Sequence, residues 1–238
     1  MAIYAIGDIH GCLNALKTIF QQGIIKEQDK VVFLGDYVDK GADSKGVLDW
    51  LLEKRKVFDF EFILGNHEIM MTAAKSSPQK YAEWVQNYGG FHTLYSYKMA
   101  DNLNWMNHVD KKYWDFIDSC LPYLEIEEFI FVHAGLESNK HLDEQNEHHL
   151  FHKKYETLVI YNLGKTVICG HTARKNGEIA DFGHTICIDT FAHGGMWLTC
   201  FNVETGEFLK ANEKGQIKKG KLKRFSNTMQ NVIKRFFH

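Results

Sequence analysis

The sequence predicts an α/β fold, in which strands buried on both faces alternate with amphipathic helices. Short apolar runs of strand length recur along the chain with little polar interruption, as in strands that are covered on both faces. Segments with helical spacing of apolar residues separate several of these runs. The predicted strands are Ile3–Ile6, Val31–Leu34, Phe60–Leu64, Phe129–Val132 and Val167–Cys169.

Helices are predicted between the first strands. The first follows Ile6 and has Gly23 placed to end it, with a buried face made of Leu13, Leu16, Ile19 and Phe20. The second follows the second strand, with Ser44 as the expected N-cap, and would bury Val47, Leu48, Leu51 and Leu52. Residues 70–128 are rich in Trp, Tyr and Phe, which we expect to form mostly the core of a helical insert, with a few rings lining a substrate groove.

Each of the five apolar runs stops at residues that can bind a metal. Because ligands of α/β sheets bind beyond the carboxyl ends of the strands, we expect these residues to gather along one edge of a sheet. The glycines in these segments would let backbone and ligand approach closely. The segments are Gly7–Gly11, Gly35–Asp39, Gly65–Glu68, His133–Gly135 and Gly170–Thr172.

The side chains in these segments offer oxygen and nitrogen ligands and no thiolate. That donor set suits Mn²⁺, Fe or Zn²⁺ better than Ca²⁺. Six groups exceed what one catalytic metal with an open position uses, so two metals that share a carboxylate fit better. Two metals roughly 3.5–4 Å apart can clamp both oxygens of a phosphoryl transfer and lower the pKa of water to about 7. The candidate ligands are Asp8, His10, Asp36, Asn66, His133 and His171.

As a set, these segments resemble the motifs of bacterial PPP-type metallophosphoesterases, the group of the serine/threonine phosphoprotein phosphatases. The matching motifs are GDIHG at 7–11, GDYVDKG at 35–41, GNHE at 65–68, HAG at 133–135 and GHT at 170–172. Residues 88–97 are similar to a GG-x-x-TL-x-SY stretch of bacterial members, and residues 188–190 resemble their last strand. The resemblance implies a β-sandwich flanked by helices, with a helical insert between the GNHE and HAG motifs.

The resemblance also implies a role for each matching residue. Asp36 would bridge two divalent metals, Mn²⁺ above all, with Asp8 and His10 on the first and Asn66, His133 and His171 on the second. His67 would be the general acid that protonates the leaving oxygen, and Asp39 would orient its imidazole and favour its charged form. A hydroxide bridging the metals would attack phosphorus directly, without a covalent phosphoenzyme.

The chain departs from the family pattern where phosphate is bound. Lys40 stands where the second motif usually has Arg, and Lys153 is the nearest match to a second phosphate-binding Arg. Lys keeps the charge but loses the two-pronged grip of a guanidinium group. Near the end of the motif set, Phe191 replaces the usual Gly and His193 is expected close to the site, where it is a third candidate phosphate ligand.

The expected activity is metal-dependent hydrolysis of phosphomonoesters, with phosphoserine or phosphothreonine on proteins as the favoured substrate. Alternatives are symmetric hydrolysis of dinucleoside polyphosphates, hydrolysis of a small phosphoester or phosphotyrosine, and a weakly active metal-loaded binding or scaffold protein. Relatives that cleave dinucleoside polyphosphates usually have Asp in place of Glu68 and often lack a match to Asp39, so both residues favour the phosphatase.

Composition places one catalytic domain at residues 1–209 and a basic tail at residues 210–238. The tail carries nine Lys or Arg and one acid, Glu213. We expect it to be solvated or docked on the acidic body as a helix, with contact to nucleic acid or an anionic membrane as the alternative. The sequence shows no signal peptide and no apolar run long enough to span a bilayer. Its five cysteines lack the spacing of metal-binding motifs and are expected to be free thiols. Together these features predict a cytoplasmic protein.

Overall fold

Two mixed β-sheets that share one apolar core form the centre of the computed structural model, which describes residues 1–99, 104–154 and 164–224. The first three strands, β1 (Ile3–Ile6), β2 (Lys30–Phe33) and β3 (Asp59–Phe62), are parallel neighbours. β4 (Tyr123–Ile126), β5 (Phe129–Val132), β6 (Thr166–Cys169), β7 (Ala180–Asp181) and β8 (Thr185–Cys187) form the second sheet in the order β4-β5-β6-β8-β7. In it β5, β6 and β8 run parallel, and both edge strands are antiparallel.

The last three strands complete the first sheet. β9 (Leu198–Asn202) pairs antiparallel with β1, and β10 (Glu207–Ala211) and β11 (Ile217–Lys221) continue outward, giving the order β11-β10-β9-β1-β2-β3. The boundary predicted between residues 209 and 210 therefore falls inside β10, and the start of the predicted tail is a strand of the sheet. Residues 225–238, the rest of that tail, lie outside the described residues.

Helices cover the outer faces of both sheets and lie beside the candidate metal-binding motifs. They are α1 (Leu13–Gln21), α2 (Ser44–Lys54), α3 (Asn66–Ala73), α4 (Pro78–Asn87), α5 (Gly90–Ser96), α6 (Lys111–Asp118) and α7 (Glu147–Phe151). Short 3₁₀ turns occur at Trp105–His108, Leu142–Glu144 and Ala192–Gly194. α3 begins inside the GNHE motif, and α4 to α6 lie between it and the HAG motif, so the predicted helical insert is confirmed.

The apolar side chains sort by strand alternation, as sheets covered on both faces require. Ile3 and Ala5 of β1 point into the core between the sheets, whereas Ile6 packs under the helices. Ile168 and Ile186 reach the shared core from the second sheet, and its outer face buries residues of β5, β6 and α7. The predicted α/β sandwich flanked by helices and the five predicted strands are confirmed.

One helix start was predicted wrongly. Asp43, rather than Ser44, is the N-cap of α2, and its carboxylate accepts a hydrogen bond from the Gly46 N–H. Ser44 is fully buried and its hydroxyl instead accepts from the Asp39 N–H at 3.0 Å. Both residue types cap helices well, and the tertiary contact with the Asp39 backbone decided between them.

The insert buries some of its aromatic rings and exposes others. The rings of Trp84 and Trp105 lie 5.0 Å apart and are almost fully buried. Tyr88, Phe91 and Tyr95 are exposed. All five cysteines are free, as predicted. Within the described residues, no helix combines the length and apolar character that crossing a bilayer needs.

Candidate metal centre

The predicted ligands converge where strands of both sheets end. Asp8 and His10 follow β1, and Asp36 follows β2. Asn66 begins α3 after β3, and the two remaining histidines, His133 and His171, follow β5 and β6. The ends of the two sheets meet here, so residues far apart in sequence become neighbours.

Two glycines, Gly35 and Gly65, allow the ends of β2 and β3 to lie close to each other. Gly35 has φ +95°, and a Cβ on it would lie 2.7 Å from the Gly65 Cα. A Cβ on Gly65 would collide with the Asp36 backbone and side chain. Larger residues would push the two strand ends apart, and with them Asp36 and Asn66.

Asp36 is the centre of the cluster. Its Oδ2 lies 3.3 Å from His10 Nε2 and 3.9 Å from His67 Nε2. Its Oδ1 lies 3.4 Å from His133 Nε2. The carboxylate therefore faces imidazoles on two sides, the arrangement that a bridging ligand needs.

The second group of donors surrounds Asn66. Asn66 Oδ1 lies 2.9 Å from His133 Nε2 and 3.0 Å from His171 Nδ1. Backbone carbonyls hold the other ring nitrogens, because His133 Nδ1 lies 2.8 Å from Leu34 O and His171 Nε2 lies 3.1 Å from His152 O. Such contacts fix ring orientation, as they do for metal-binding histidines in general.

Buried negative charge accompanies the imidazoles. Burial and the nearby carboxylates of Asp189 and Asp36 raise the pKa of Asp8 well above its usual range. Burial also raises the pKa of Asp189. For Asp36, burial acts in the same direction, but His133, His67 and His10 outweigh it and hold the pKa well below its usual range. Three buried carboxylates lie close together here, so a bound cation would stabilise their ionised forms.

Backbone strain is concentrated at the same place. Eight non-glycine residues in the described parts of the chain have positive φ, and five belong to this site. They are His10 (44°), Asp36 (53°), Asp39 (71°), Lys40 (64°) and His171 (60°). Each such conformation costs on the order of 1–3 kcal/mol and persists only where surrounding contacts enforce it.

Glu68 supplies one of those enforcing contacts. Its Oε1 accepts from the N–H groups of Tyr37 and Val38 at 2.8 and 3.1 Å. Its Oε2 accepts from Asp36 and Gly65 at 2.9 and 3.2 Å. Despite burial, which raises the pKa of Glu68 to about 8, the carboxyl group ties the loop after β2 to the start of α3.

His67 and Asp39 form the pair that the sequence predicts. His67 Nδ1 lies 2.7 Å from Asp39 Oδ2, and both residues are buried. Two further donors fix the carboxylate: Trp84 Nε1 at 2.9 Å from Oδ2 and Thr93 Oγ1 at 2.7 Å from Oδ1. His67 Nε2 is thereby aimed at Asp36.

Burial opposes the charged form of this pair. It lowers the pKa of His67 well below its usual value, and it raises the pKa of Asp39 to about 7 against the hydrogen bonds from Thr93 and Trp84. Burial therefore favours the neutral form of each group, and the two side chains remain joined by the 2.7 Å hydrogen bond. A proton carried by the ring can be delivered through His67 Nε2.

Lys40 and His193 lie beside the first group of donors. Lys40 Nζ is 2.9 Å from His10 Nε2, and the ring centroid of His193 is 4.9 Å from that of His10. Burial and the charges of His10 and Lys40 lower the pKa of His193 to about 3, so its ring is neutral at pH 7. Phe191 supports His193, with ring centroids 4.7 Å apart.

Lys153 is not joined to the other predicted residues by a contact. It follows α7 and is half-buried, and within the described residues it has no hydrogen bond or ion pair. The positive charge of Lys153 contributes to lowering the pKa of His149. The charge of the next residue, Lys154, contributes instead to lowering the pKa of His171.

Sequence reasoning missed four residues that support the site. Glu68 distinguishes substrate classes in the sequence, but its structural role was missed, although its position three residues after Gly65 is that of a capping-box acid. Asp189 was noted only as part of a strand. Thr93 belongs to the motif at residues 88–97, but the sequence does not indicate that Thr93 or Trp84 contacts Asp39, because they lie 54 and 45 residues from it along the chain.

The donor set fits two divalent cations. One group comprises His10, Asp36 and His67, and the other comprises Asp36, His133 and His171, with ligand atoms of each group within 4.8 Å of one another. Asp36 belongs to both. Nitrogen and oxygen donors without thiolate suit a catalytic site for Mn²⁺, Fe or Zn²⁺.

Known proteins share these features. Residues 1–196 match the calcineurin-like phosphoesterase family. The chain is 36% identical over 92 residues to serine/threonine-protein phosphatase 1 of Salmonella typhimurium, covering 38% of this chain and 40% of that protein. It is 26% identical over 162 residues to a symmetrical bis(5'-nucleosyl)-tetraphosphatase of Nitrosomonas europaea, covering 67% of this chain and 53% of that protein. The chain thus spans about half the length of these curated relatives or less.

A solved structure agrees with the fold. The cold-active protein-tyrosine phosphatase of a psychrophilic Shewanella superposes with a TM-score of 0.62 at 14% identity, covering 91% of this chain and 79% of that one. The family match covers most of the chain and includes every candidate ligand. The chain therefore belongs to the calcineurin-like phosphoesterase family, as its motifs predict.

Proposed function

We propose that this phosphoesterase hydrolyses phosphomonoesters and that its substrates are phosphoserine and phosphothreonine residues of proteins. The observation that carries the proposal is the buried His67–Asp39 pair, 2.7 Å apart, with His67 Nε2 directed at Asp36. An alkoxide of serine or threonine is a poor leaving group and needs a proton as the P–O bond breaks. A general acid placed beside the donor cluster meets that need.

We assign a different role in the reaction to each group of residues at the site. Asp8, His10, Asp36, Asn66, His133 and His171 would hold two divalent cations, which we propose to be Mn²⁺. Bound there, the cations would polarise the phosphoryl group and lower the pKa of water. Lys40 and His193 would contact phosphate oxygens at the mouth of the site, with Lys153 as a more distant charge. His67 would protonate the leaving oxygen as water forms the new P–O bond.

A second candidate is symmetric hydrolysis of dinucleoside polyphosphates. The alignment with the tetraphosphatase of Nitrosomonas europaea favours it, because it covers 67% of this chain against 38% for the Salmonella phosphatase. Against it stands the Asp39 carboxylate, which accepts hydrogen bonds from His67, Trp84 and Thr93. A nucleotide leaving group is already a weak base and depends less on such an oriented acid.

One comparison of rates tests the proposal. The full chain with Mn²⁺ is assayed on a phosphoserine peptide, para-nitrophenyl phosphate and a dinucleoside tetraphosphate. We expect hydrolysis of the peptide and the aryl phosphate at a kcat/KM well above that for the dinucleotide. The reverse order would establish the second candidate. Loss of all three activities in a chain that still binds metal would favour a binding or scaffold protein.

Two further expectations stay proposals. The five free cysteines support a reducing cytoplasmic location. For the basic end of the chain we propose a solvated or docked segment. The alternative, contact with an anionic partner, would use basic residues of β11 such as Lys218, Lys219 and Lys221. Of these, Lys218 is paired with Glu178 at 2.7 Å.

A further inference from the structure

In the described part of the chain, exposed Tyr and Phe rings are gathered beside the candidate metal centre. Within residues 1–99, 104–154 and 164–224, three Phe, Tyr or Trp side chains are exposed: Tyr88 (38%), Phe91 (47%) and Tyr95 (67%). They lie within eight consecutive residues of the insert. We call these three side chains the aromatic face. Clustered exposed apolar side chains mark contact surfaces more often than chance.

The aromatic face begins next to the proposed general acid. The ring centroid of Tyr88 lies 6.5 Å from that of His67. Gly89, the next residue, accepts a hydrogen bond from the Lys40 N–H at 3.3 Å and lies so close that a Cβ on it would be 2.9 Å from Lys40 N. From there α5 carries Phe91 and Tyr95, four residues apart on one helical face, with ring centroids 6.2 Å apart.

The opposite side of α5 is fixed to the catalytic pair. Thr93 is fully buried, donates to Asp39 Oδ1 at 2.7 Å and accepts from Asp39 N–H at 2.9 Å. Leu94 is buried in the core, and Gly90 packs against the Trp84 indole, the same indole that donates to Asp39. The aromatic face therefore has a fixed position relative to His67, as a surface that selects substrates requires.

We propose that the aromatic face binds an aromatic side chain of a phosphorylated polypeptide, close in sequence to the phosphoresidue, and so selects the substrate. The proposal rests on the proposed phosphatase function and specifies its substrate class. Once the phosphate is held at the donor cluster, the rest of the bound substrate must extend over the neighbouring protein surface. The aromatic face is the apolar part of that surface.

Dimensions favour a polypeptide over a nucleobase. The four residues from Phe91 to Tyr95 rise about 6 Å along α5, which is about two residues of an extended chain. A helix surface is convex, so it covers one side of a passing peptide. A nucleobase is usually held in a pocket that also bonds its polar edges, and the aromatic face is an open surface.

The test compares matched peptides and matched variants. Phosphoserine peptides that carry Trp or Ala at single positions up to four residues from the phosphoserine are assayed with the full chain and Mn²⁺. Wild type should prefer a Trp peptide by about three- to tenfold in kcat/KM, through KM, as one aromatic contact is worth. The double variant Phe91→Ala/Tyr95→Ala should lose this preference and keep its rate on Ala peptides and para-nitrophenyl phosphate.

Controls separate this proposal from general damage. Val57→Ala removes another exposed apolar side chain, 54% exposed and at the end of α2, and should leave the preference intact. Tyr95→Phe keeps the ring and should also retain it. An equal loss on every substrate would indicate a structural role and would overturn the proposal.

Two other results have distinct meanings. Hydrolysis of phosphoserine peptides without any preference for Trp would overturn the aromatic face as a selector and leave the phosphatase function standing. Failure on all phosphopeptides, with a dinucleoside tetraphosphate cleaved and its KM raised in the double variant, would overturn both proposals and assign the face to a nucleobase.

Discussion

Single residues at this site have their orientation set by partners from other parts of the chain. Asp39 holds His67, while Trp84 and Thr93 hold Asp39. Asp39 has φ 71°, a conformation that an L-residue adopts only under constraint. The constraint is visible, because its N–H donates to Ser44 and Thr93 and its carboxylate has three partners. The proposed proton donor, His67, is therefore pre-oriented, which would lower the cost of reaching the transition state.

Replacing His67 tests proton transfer. His67→Asn should lower kcat by about 10²–10⁴ on phosphoserine peptides, the usual scale of general acid catalysis. The loss should be smaller on para-nitrophenyl phosphate, whose leaving group needs less protonation. Steady-state kinetics on both substrates measures the difference, and metal analysis provides the control. Equal losses on both substrates, at unchanged metal content, would argue against the acid role.

Lys40 offers a test of phosphate binding. Its ammonium lies 2.9 Å from His10 Nε2, at the mouth of the site, so Lys40→Ala should lower kcat/KM on phosphomonoesters about tenfold or more. Lys40→Arg should keep or raise kcat/KM, because a guanidinium group grips phosphate with two parallel hydrogen bonds. Lys17→Ala, at an exposed position of α1, is the matched control. Wild-type kinetics in Lys40→Ala would exclude Lys40 as a phosphate ligand.

At the scale of elements, polar contacts join the insert to the loop after β2 and to α2. Thr93 joins α5 to the loop after β2, and Asp49 joins α2 to α6. Asp49 accepts from Tyr113 Oη at 2.6 Å and from Lys112 Nζ at 3.1 Å, while Lys45 of its own helix lies at 2.6 Å. Burial would raise the pKa of Asp49, but these three partners lower it to about 2.

This shift makes a prediction about stability and pH. Because the folded-state pKa is depressed, Asp49 stabilises the fold above the unfolded value of about 4, and the contribution is lost as pH falls to about 2. The difference in free energy of unfolding between wild type and Asp49→Asn should therefore shrink over that window. Denaturant unfolding at several pH values measures it, with Glu53→Gln on the same helix as control. A difference that stays constant down to pH 2 would contradict the assignment.

At the scale of the whole molecule, the site exists only where the two sheets meet. Asp8, His10 and Asp36 come from the first sheet, and His133 and His171 come from the second. A cation bound between them would link the two sheets directly. Metal binding and global stability should therefore be coupled, because a ligand of the folded state alone stabilises that state.

Adding Mn²⁺ should raise the Tm of the wild type. Each site contributes about 2.7 kcal/mol when free metal is about 100 times Kd. Asp36→Asn should lose most of this gain and all activity, since Asp36 faces both groups of donors. Asp118→Asn, an exposed carboxylate at the end of α6, should respond like wild type. Calorimetry and metal analysis decide it: one metal per chain with full activity would contradict a two-metal site.

The sequence by itself determined five of the strands, the positions of the candidate ligands at their ends and the family. Buried strands are recognisable locally, because burial on both faces demands continuous apolar runs. The His67–Asp39 pair was also within reach, through the motifs that contain both residues. These features depend on residue type and spacing along a short stretch.

Tertiary structure alone decided the contacts made between distant stretches. The Asp43 cap of α2, the incorporation of residues 217–221 into the first sheet and the contact of Trp84 and Thr93 with Asp39 all follow from packing. So does the aromatic face, since exposure of Phe91 beside burial of Leu94 depends on which side of α5 meets the core. Local sequence leaves such choices nearly equal in energy, and the global arrangement of the two sheets selects among them.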